Sequence, residues 1–135
     1  MSDYTHIHRD QTDNWMADYP DVGEMRSYGG GLECEQIALT WRRMPPGTGG
    51  RGSYGHSHKT QEEVVLVTRG RVTFKIGDDV FEAGEGEAVR IAPAAVRSIH
   101  NDGNADAEVV IVSTHLDGSV MDDVVKHDDF WPDEG

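Results

Sequence analysis

The sequence predicts an all-β protein, because its central part consists of short apolar runs separated by turn signals. In these runs apolar and polar residues alternate with a period of two, which is typical of half-buried strands. About seven or eight such runs lie between residues 36 and 116, with turns roughly every 8–12 residues, the pattern of a β-sandwich or barrel. Long helical periodicity is absent. A chain of 135 residues is close to the commonest domain size, so we expect a single domain.

The predicted strands follow one another along the chain. In the first, Ile37, Leu39 and Trp41 alternate with Ala38, Thr40 and Arg42, and the run Pro45-Pro46-Gly47 ends it. The tripeptide Gly77-Asp78-Asp79 predicts a tight hairpin turn between two later strands. The remaining predicted strands are 64–67, 72–76, 80–81, 88–91, 96–100 and 109–114.

The two flanking segments differ from this central barrel of residues 36–116. Residues 1–35 are polar and irregular, and we expect an N-terminal extension that packs on the barrel. Residues 117–135 form an acidic C-terminal tail that nevertheless contains the adjacent aromatic residues Phe130 and Trp131. We expect these two side chains to anchor the tail on the barrel or on a partner subunit.

Charge and composition exclude several classes of function. The net charge of -13, from 25 acidic and 12 basic residues, disfavours binding to nucleic acid or to an anionic membrane surface. No stretch approaches the roughly 18 apolar residues of a membrane-spanning helix, and the N-terminus does not resemble a secretory signal. We therefore expect a cytoplasmic protein. Cys34 is the single cysteine, so no intrachain disulfide forms. The acidity suits a high-salt cytoplasm, and an acidic protein without such adaptation is the alternative.

A candidate metal site lies in the first half of the barrel. His56 and His58 are two residues apart on a predicted strand, so their side chains point to the same face. Glu63 follows after a turn and opens the next strand, and the three side chains converge if the two strands pair. Two imidazoles and a carboxylate that leave coordination positions open suit iron(II), manganese, nickel or zinc. The alternative is a pair of surface histidines followed by a solvated glutamate.

The spacing around these residues resembles the first conserved motif of the cupin superfamily. Gly50 is followed by five residues, His-Ser-His, four residues, Glu63, six residues and Gly70, and every position of the motif matches. The resemblance implies a double-stranded β-helix, or jelly-roll-like barrel, with His56, His58 and Glu63 as ligands of one divalent metal ion (Fe, Mn, Ni or Zn). It also implies a homodimer that pairs through sheet edges.

The second cupin motif is degenerate in this chain. It begins at Gly86 and ends at Asn101, but its proline position holds Ala92, with Pro93 beside it. Its histidine position, which usually provides the fourth ligand, holds Arg97. A guanidinium group stays protonated and has no lone pair to offer, so Arg97 cannot ligate a metal.

Two functions remain open at this point. In the first, the metal keeps three protein ligands and Arg97 binds the anionic group of a small substrate, as in a metal-dependent oxygenase or isomerase. In the second, Arg97 pairs with Glu63 in the metal position, and the protein is a non-catalytic cupin that binds an organic anion without metal. Alternation along the strands adds candidate residues for the pocket wall and for ligand binding: Trp41, Tyr54, Val65, Phe74 and Ile99.

Overall fold

The computed structural model describes residues 3–133 and consists of two five-stranded antiparallel sheets that form a β-sandwich. The strands are β1 (Glu24–Ser27), β2 (Ile37–Met44), β3 (Ser53–His58), β4 (Glu63–Arg69), β5 (Arg71–Ile76), β6 (Asp79–Gly84), β7 (Ala88–Ile91), β8 (Arg97–His100), β9 (Ala107–Thr114) and β10 (Val124–Trp131).

The strand order shows a jelly-roll topology. The first sheet has the order β1-β2-β9-β4-β7, and the second sheet has the order β10-β3-β8-β5-β6. Strands far apart in the sequence therefore lie side by side, as β2 and β9 do in one sheet and β3 and β10 do in the other. The predicted all-β, jelly-roll-like architecture is confirmed.

Helical structure is confined to short segments outside the sheets. They are one α-helix, α1 (Tyr28–Leu32), and the 3₁₀ turns Arg9–Gln11, Pro20–Val22 and Val120–Asp122. Within residues 3–133, no helix has the length and the apolar character needed to cross a membrane.

The hydrophobic core lies between the sheets and borders the cavity described below. Its buried members are Met44, Val65, Val67, Val72, Phe74, Ala83, Ile91, Ala107 and Val109. Val65 and Ile91 also line the cavity, so the core supports the wall of the site directly. The predicted hairpin is confirmed, because Ile76 of β5 lies opposite Asp79 of β6.

Both flanking segments contribute strands to the sheets. β1 pairs with β2 at one edge of the first sheet, and β10 pairs with β3 at one edge of the second. Trp131 at the end of β10 is only 3% exposed, and the Arg51 guanidinium lies 4.7 Å from the centre of its ring. The sandwich therefore extends beyond residues 36–116 on both sides.

The two strands that carry the candidate ligands do not pair, so the convergence of the side chains does not arise from the pairing that the sequence left open. β3, with His56 and His58, belongs to the second sheet, whereas β4, which begins at Glu63, belongs to the first. The chain between them crosses from one sheet to the other. The three side chains therefore approach one another across the interior of the sandwich, not along one sheet.

The structure also reverses the expected orientation of β2. Alternation identifies which residues share a face but not which face points inward. Ala38, Thr40 and Arg42 line the interior cavity, whereas Trp41 lies on the outer face. There the Arg9 guanidinium covers its ring at 4.0 Å, and its indole N–H donates to Glu108. Arg9 of the N-terminal extension thus covers Trp41 on the outer side of this strand.

Candidate metal centre

Asp123 fixes the orientation of His58. The His58 side chain is 3% exposed, and its Nδ1 lies 3.1 Å from Asp123 Oδ2. Hydrogen bonds from Thr60 and Gln61 hold the pKa of Asp123 down at about 2, so the carboxylate accepts and His58 Nδ1 carries the hydrogen. In the neutral ring the lone pair is then on Nε2, which lies 3.8 Å from Glu63 Oε2.

The Asp123 carboxylate also holds the segment between β3 and β4 in place through hydrogen bonds. Its oxygens accept hydrogen bonds from the backbone N–H groups of Thr60 and Gln61 and from the Thr60 hydroxyl. The carbonyl of Asp123 accepts from the N–H of Lys59. This acidic residue therefore positions both a candidate ligand and the crossing segment that leads to the next one.

Arg97 contacts Glu63, the third candidate ligand. It donates from Nε and Nη2 to Glu63 Oε1 at 3.1 and 2.8 Å. Its Nη1 donates to the backbone carbonyls of Pro93 and Ala95 at 3.1 and 2.7 Å. Each nitrogen of the guanidinium thus has an acceptor within the protein, and Oε2 of Glu63 remains directed at His58.

His56 is neutral at physiological pH. Burial is the main cause of the lowering of its pKa to about 4, and the nearby charges of Arg97 and Arg42 add to it, against an opposing contribution from Glu63. Its ring meets that of His58 edge to face, with the centroids 5.1 Å apart. A neutral imidazole keeps a nitrogen lone pair, which metal ligation requires.

The donor set fits a divalent metal ion. His56, His58 and Glu63 each offer one ligand atom, and these atoms lie within 4.8 Å of one another. Two neutral imidazoles and one carboxylate suit iron(II), manganese, nickel or zinc. A histidine whose second nitrogen is held by a carboxylate is the usual arrangement around protein-bound metals.

The candidate centre opens into a cavity of about 880 Å³ between the two sheets. This volume is within the range of small-molecule sites, roughly 300–1,000 Å³. Of the residues predicted to form the wall, Tyr54, Val65 and Ile99 line the cavity, and Arg97 reaches its surface. Trp41 does not line it, and Phe74 is fully buried in the core.

Sequence reasoning missed two residues of this region. Asp123 belongs to the acidic tail, and no local spacing connects it with His58, which lies 65 residues earlier. Arg42 is not among the residues predicted to form the wall, because its neighbour Trp41, which lies on the opposite face of the strand, was selected instead. Asp123 is one of very few buried acidic residues in the structure, but its sequence context, Asp122-Asp123, gives no sign of this.

Fold and site together define a small jelly-roll barrel with a candidate metal centre in its interior. The family model described as "Cupin domain" matches residues 40–113, which is more than half of the chain. The chain belongs to the cupin family.

Solved structures with the same fold come from several bacteria. A sugar phosphate isomerase of the cupin superfamily from Silicibacter pomeroyi has a TM-score of 0.71 at 16% identity, over 93% of both chains. The polyketide cyclase RemF from Streptomyces resistomycificus has a TM-score of 0.71 at 17% identity, over 96% of this chain and 90% of that one. At such identities the likeness shows the fold alone.

Two further relatives are matched over part of their length. A putative sugar phosphate isomerase from Acidithiobacillus ferrooxidans has a TM-score of 0.61 at 24% identity, over 72% of this chain and 62% of that one. An uncharacterized protein of Methanocaldococcus jannaschii is 27% identical over 71 residues, which is 50% of this chain and 57% of that protein. The match thus spans less than two thirds of either relative.

Proposed function

We propose that this cupin holds one divalent metal ion through His56, His58 and Glu63 and acts on a small organic anion bound in the adjoining cavity. The observation that carries the proposal is the convergence of the three ligand atoms within 4.8 Å. The burial of His56 and the contact between Asp123 and His58 leave both imidazoles with a lone pair for the metal. Such a three-ligand set leaves coordination positions open for substrate.

The surrounding residues have separate tasks in this proposal. Asp123 keeps His58 in the tautomer that can ligate, and Arg97 holds one oxygen of Glu63 so that the other faces the histidines. A bound metal would supply a Lewis acid that polarises an oxygen of the substrate. The proposed class is a metal-dependent isomerase or oxygenase.

Elemental analysis of the purified protein tests the metal centre. We expect close to one metal ion per chain in the wild type and its loss in Glu63→Gln, which keeps the shape of the side chain but removes the anionic ligand. Glu62→Gln is the matched control, because this neighbouring side chain is 53% exposed and pairs with Arg90 instead. A wild type without metal after growth in metal-rich medium contradicts the proposal.

A second candidate function follows from the pairing of Arg97 with Glu63. With two donors on Glu63 and a side chain only 3% exposed, Arg97 brings a fixed positive charge to the candidate centre, which lowers metal affinity by repulsion. The protein would then bind an organic anion without metal. Arg97→His separates the two functions: metal that appears only in this variant supports the second, and metal already present in the wild type supports the first.

A further inference from the structure

Arg42 is an exception among the arginines of this acidic protein. Every other arginine has a carboxylate oxygen within 4.0 Å: Arg9, Arg26, Arg43, Arg51, Arg69, Arg71, Arg90 and Arg97. Among residues 3–133, Arg42 has no such partner, although the chain carries 25 acidic residues against 12 basic ones. Its Nε is buried and donates to no described residue.

The position of Arg42 points to a ligand as the missing partner. The side chain lies on the interior face of β2 and lines the same cavity as Tyr54 and His56, which are on β3 of the facing sheet. A buried cation without a counter-ion or acceptor is unfavourable, because burial removes water without replacing its hydrogen bonds. Such an unsatisfied donor in the wall of a cavity is suited to an anionic group that arrives with the ligand.

We propose that Arg42 is the anchor for the carboxylate group of the small molecule that this cavity binds. A guanidinium matches a carboxylate in geometry, because its parallel N–H groups can donate to both oxygens. Arg97, the other arginine of the cavity wall, already has acceptors for each of its nitrogens. The inference rests on the proposed function only for the shared cavity and does not require the metal.

The charges of the cavity favour a carboxylate over a phosphate monoester. Among the residues that the structure describes, the lining contains one cation without a partner, and it also contains the carboxylates of Glu33 and Glu63. A carboxylate brings one negative charge, which Arg42 neutralises. A phosphate monoester brings close to two negative charges at pH 7, and the second would remain uncompensated beside Glu63. The ligand class is therefore a small organic monocarboxylate.

Tyr54 is placed to contact the same ligand. It precedes His56 by two residues on β3, so both side chains face the cavity. Its ring is held from the other side by Lys126, whose Nζ lies 4.6 Å from the ring centre. The nearby Tyr54 oxygen partly offsets the lowering of the Arg42 pKa that burial causes. Tyr54 and Arg42 both line the cavity.

Calorimetric titration of the full-length protein with acetate, hexanoate and benzoate tests the inference. The matched neutral probes are acetamide, hexanamide and benzamide, and phenyl phosphate probes the other anion class. We expect saturable binding of at least one carboxylate, tighter than its amide, and about tenfold or greater weakening in Arg42→Gln. Arg71→Gln, whose side chain pairs with Glu82 on the surface, should bind like the wild type.

Three results would overturn the inference. In the first, Arg42→Gln binds carboxylates with the same affinity as the wild type. In the second, the wild type binds phenyl phosphate more tightly than any carboxylate. In the third, none of the three carboxylates shows saturable binding. Metal content measured on the same samples keeps this test apart from the proposed function. Loss of carboxylate binding in Arg42→Gln with unchanged metal supports both, and the same loss in a metal-free protein supports Arg42 alone.

Thermal melting and the variant Arg42→Lys test whether the role of Arg42 is purely structural. Because Arg42→Gln removes an unpaired buried charge, we expect the free protein to melt at the same or a higher temperature. Arg42→Lys keeps the positive charge but loses Nε and the planar pair of donors. Its carboxylate affinity should lie between those of the wild type and Arg42→Gln, and an affinity equal to that of the wild type would contradict the role of the guanidinium.

Discussion

At the scale of single residues, the carboxylate of Asp123 determines which nitrogen of His58 can bind a metal. In Asp123→Asn, the new amide can donate to Nδ1, which would move the ring hydrogen to Nε2 and remove the lone pair that faces Glu63. We expect metal affinity to fall by about 10- to 100-fold. Competition with a chromogenic chelator measures this change.

The neighbouring acidic residue provides the control for this prediction. Asp122 ends the 3₁₀ turn that Asp123 caps but is exposed, so Asp122→Asn should retain the affinity of the wild type. Equal losses in both variants would indicate a general effect of charge. No loss in either would mean that Asp123 serves only to hold the segment between β3 and β4.

The partly buried imidazole of His56 predicts a decline of stability in mild acid. Its pKa is lowered from 6.5 to about 4 in the folded protein, so the unfolded state binds the proton first as pH falls. For the metal-free protein, the free energy of unfolding should therefore decrease as the pH falls from 6.5 towards 4. Urea denaturation of the chelator-treated protein at several pH values measures this.

The histidine variants assign that pH dependence to its source. His56→Gln should flatten the decline, because glutamine does not titrate. His8→Gln should leave it unchanged, because the His8 side chain is 70% exposed. Identical pH profiles for the wild type and His56→Gln would contradict the neutral, partly buried state of His56.

The sequence predicted the three candidate ligands because they form a local pattern. His56, His58 and Glu63 lie within one short stretch whose spacing matches the first cupin motif, and this resemblance selects them. Asp123 and Arg42 have no such local pattern. The role of Asp123 depends on a contact across 65 residues. The role of Arg42 depends on which face of β2 points into the cavity.

At the scale of secondary-structure elements, the pairing of β10 with β3 stabilises the strand that carries His56 and His58. Gly55 on β3 lies against the Phe130 ring of β10, and a methyl group at residue 55 would overlap that ring and approach the Arg97 carbonyl. We expect Gly55→Ala to lower the free energy of unfolding by about 1–3 kcal/mol. Chemical denaturation gives the value.

The variant Gly30→Ala separates the steric effect of the added methyl group from the loss of backbone freedom that accompanies a change from glycine to alanine. Nothing lies within 4 Å of a methyl group added at Gly30, so Gly30→Ala should be neutral or slightly stabilising. If Gly55→Ala were as stable as Gly30→Ala, β10 would pack less closely on β3 than the structure describes.

The strands were predictable from alternation, but their partners were not. The runs at 37–41 and 72–76 and the turn at 77–79 follow from local composition, and the structure has strands and a hairpin there. Periodicity contains no information on which strands pair, so the sequence left open whether β3 and β4 lie side by side. β10 was not predicted because its charged residues Lys126, Asp128 and Asp129 interrupt the apolar pattern of an edge strand.

At the scale of the whole molecule, the net charge of -13 predicts a dependence of stability on salt. Like charges repel one another more strongly in the compact state than in the extended chain. Salt shortens the screening length from about 30 Å at 0.01 M to about 3 Å at 1 M. We expect the melting temperature to rise between these NaCl concentrations, and a constant or falling value would argue against adaptation to high salt.

The edge strands of the two sheets are the surfaces through which the expected homodimer would pair. The outermost strands are β1 and β7 in the first sheet and β10 and β6 in the second, and such edges offer backbone groups to a second copy. We propose a dimer through one of these edges. Light scattering should give twice the chain mass of 14.9 kDa, and a mass equal to that of one chain would contradict the proposal.

The contact between Asp123 and His58 also has a consequence for the order of events during protein synthesis. The ribosome adds roughly 5–20 residues per second, so Asp123 emerges about 3–13 seconds after His58, given the separation of 65 residues. During that interval the nascent chain contains His56, His58 and Glu63 but lacks the carboxylate that selects the tautomer of His58. If the proposed metal centre forms, selective capture of a metal ion would therefore follow translation of Asp123.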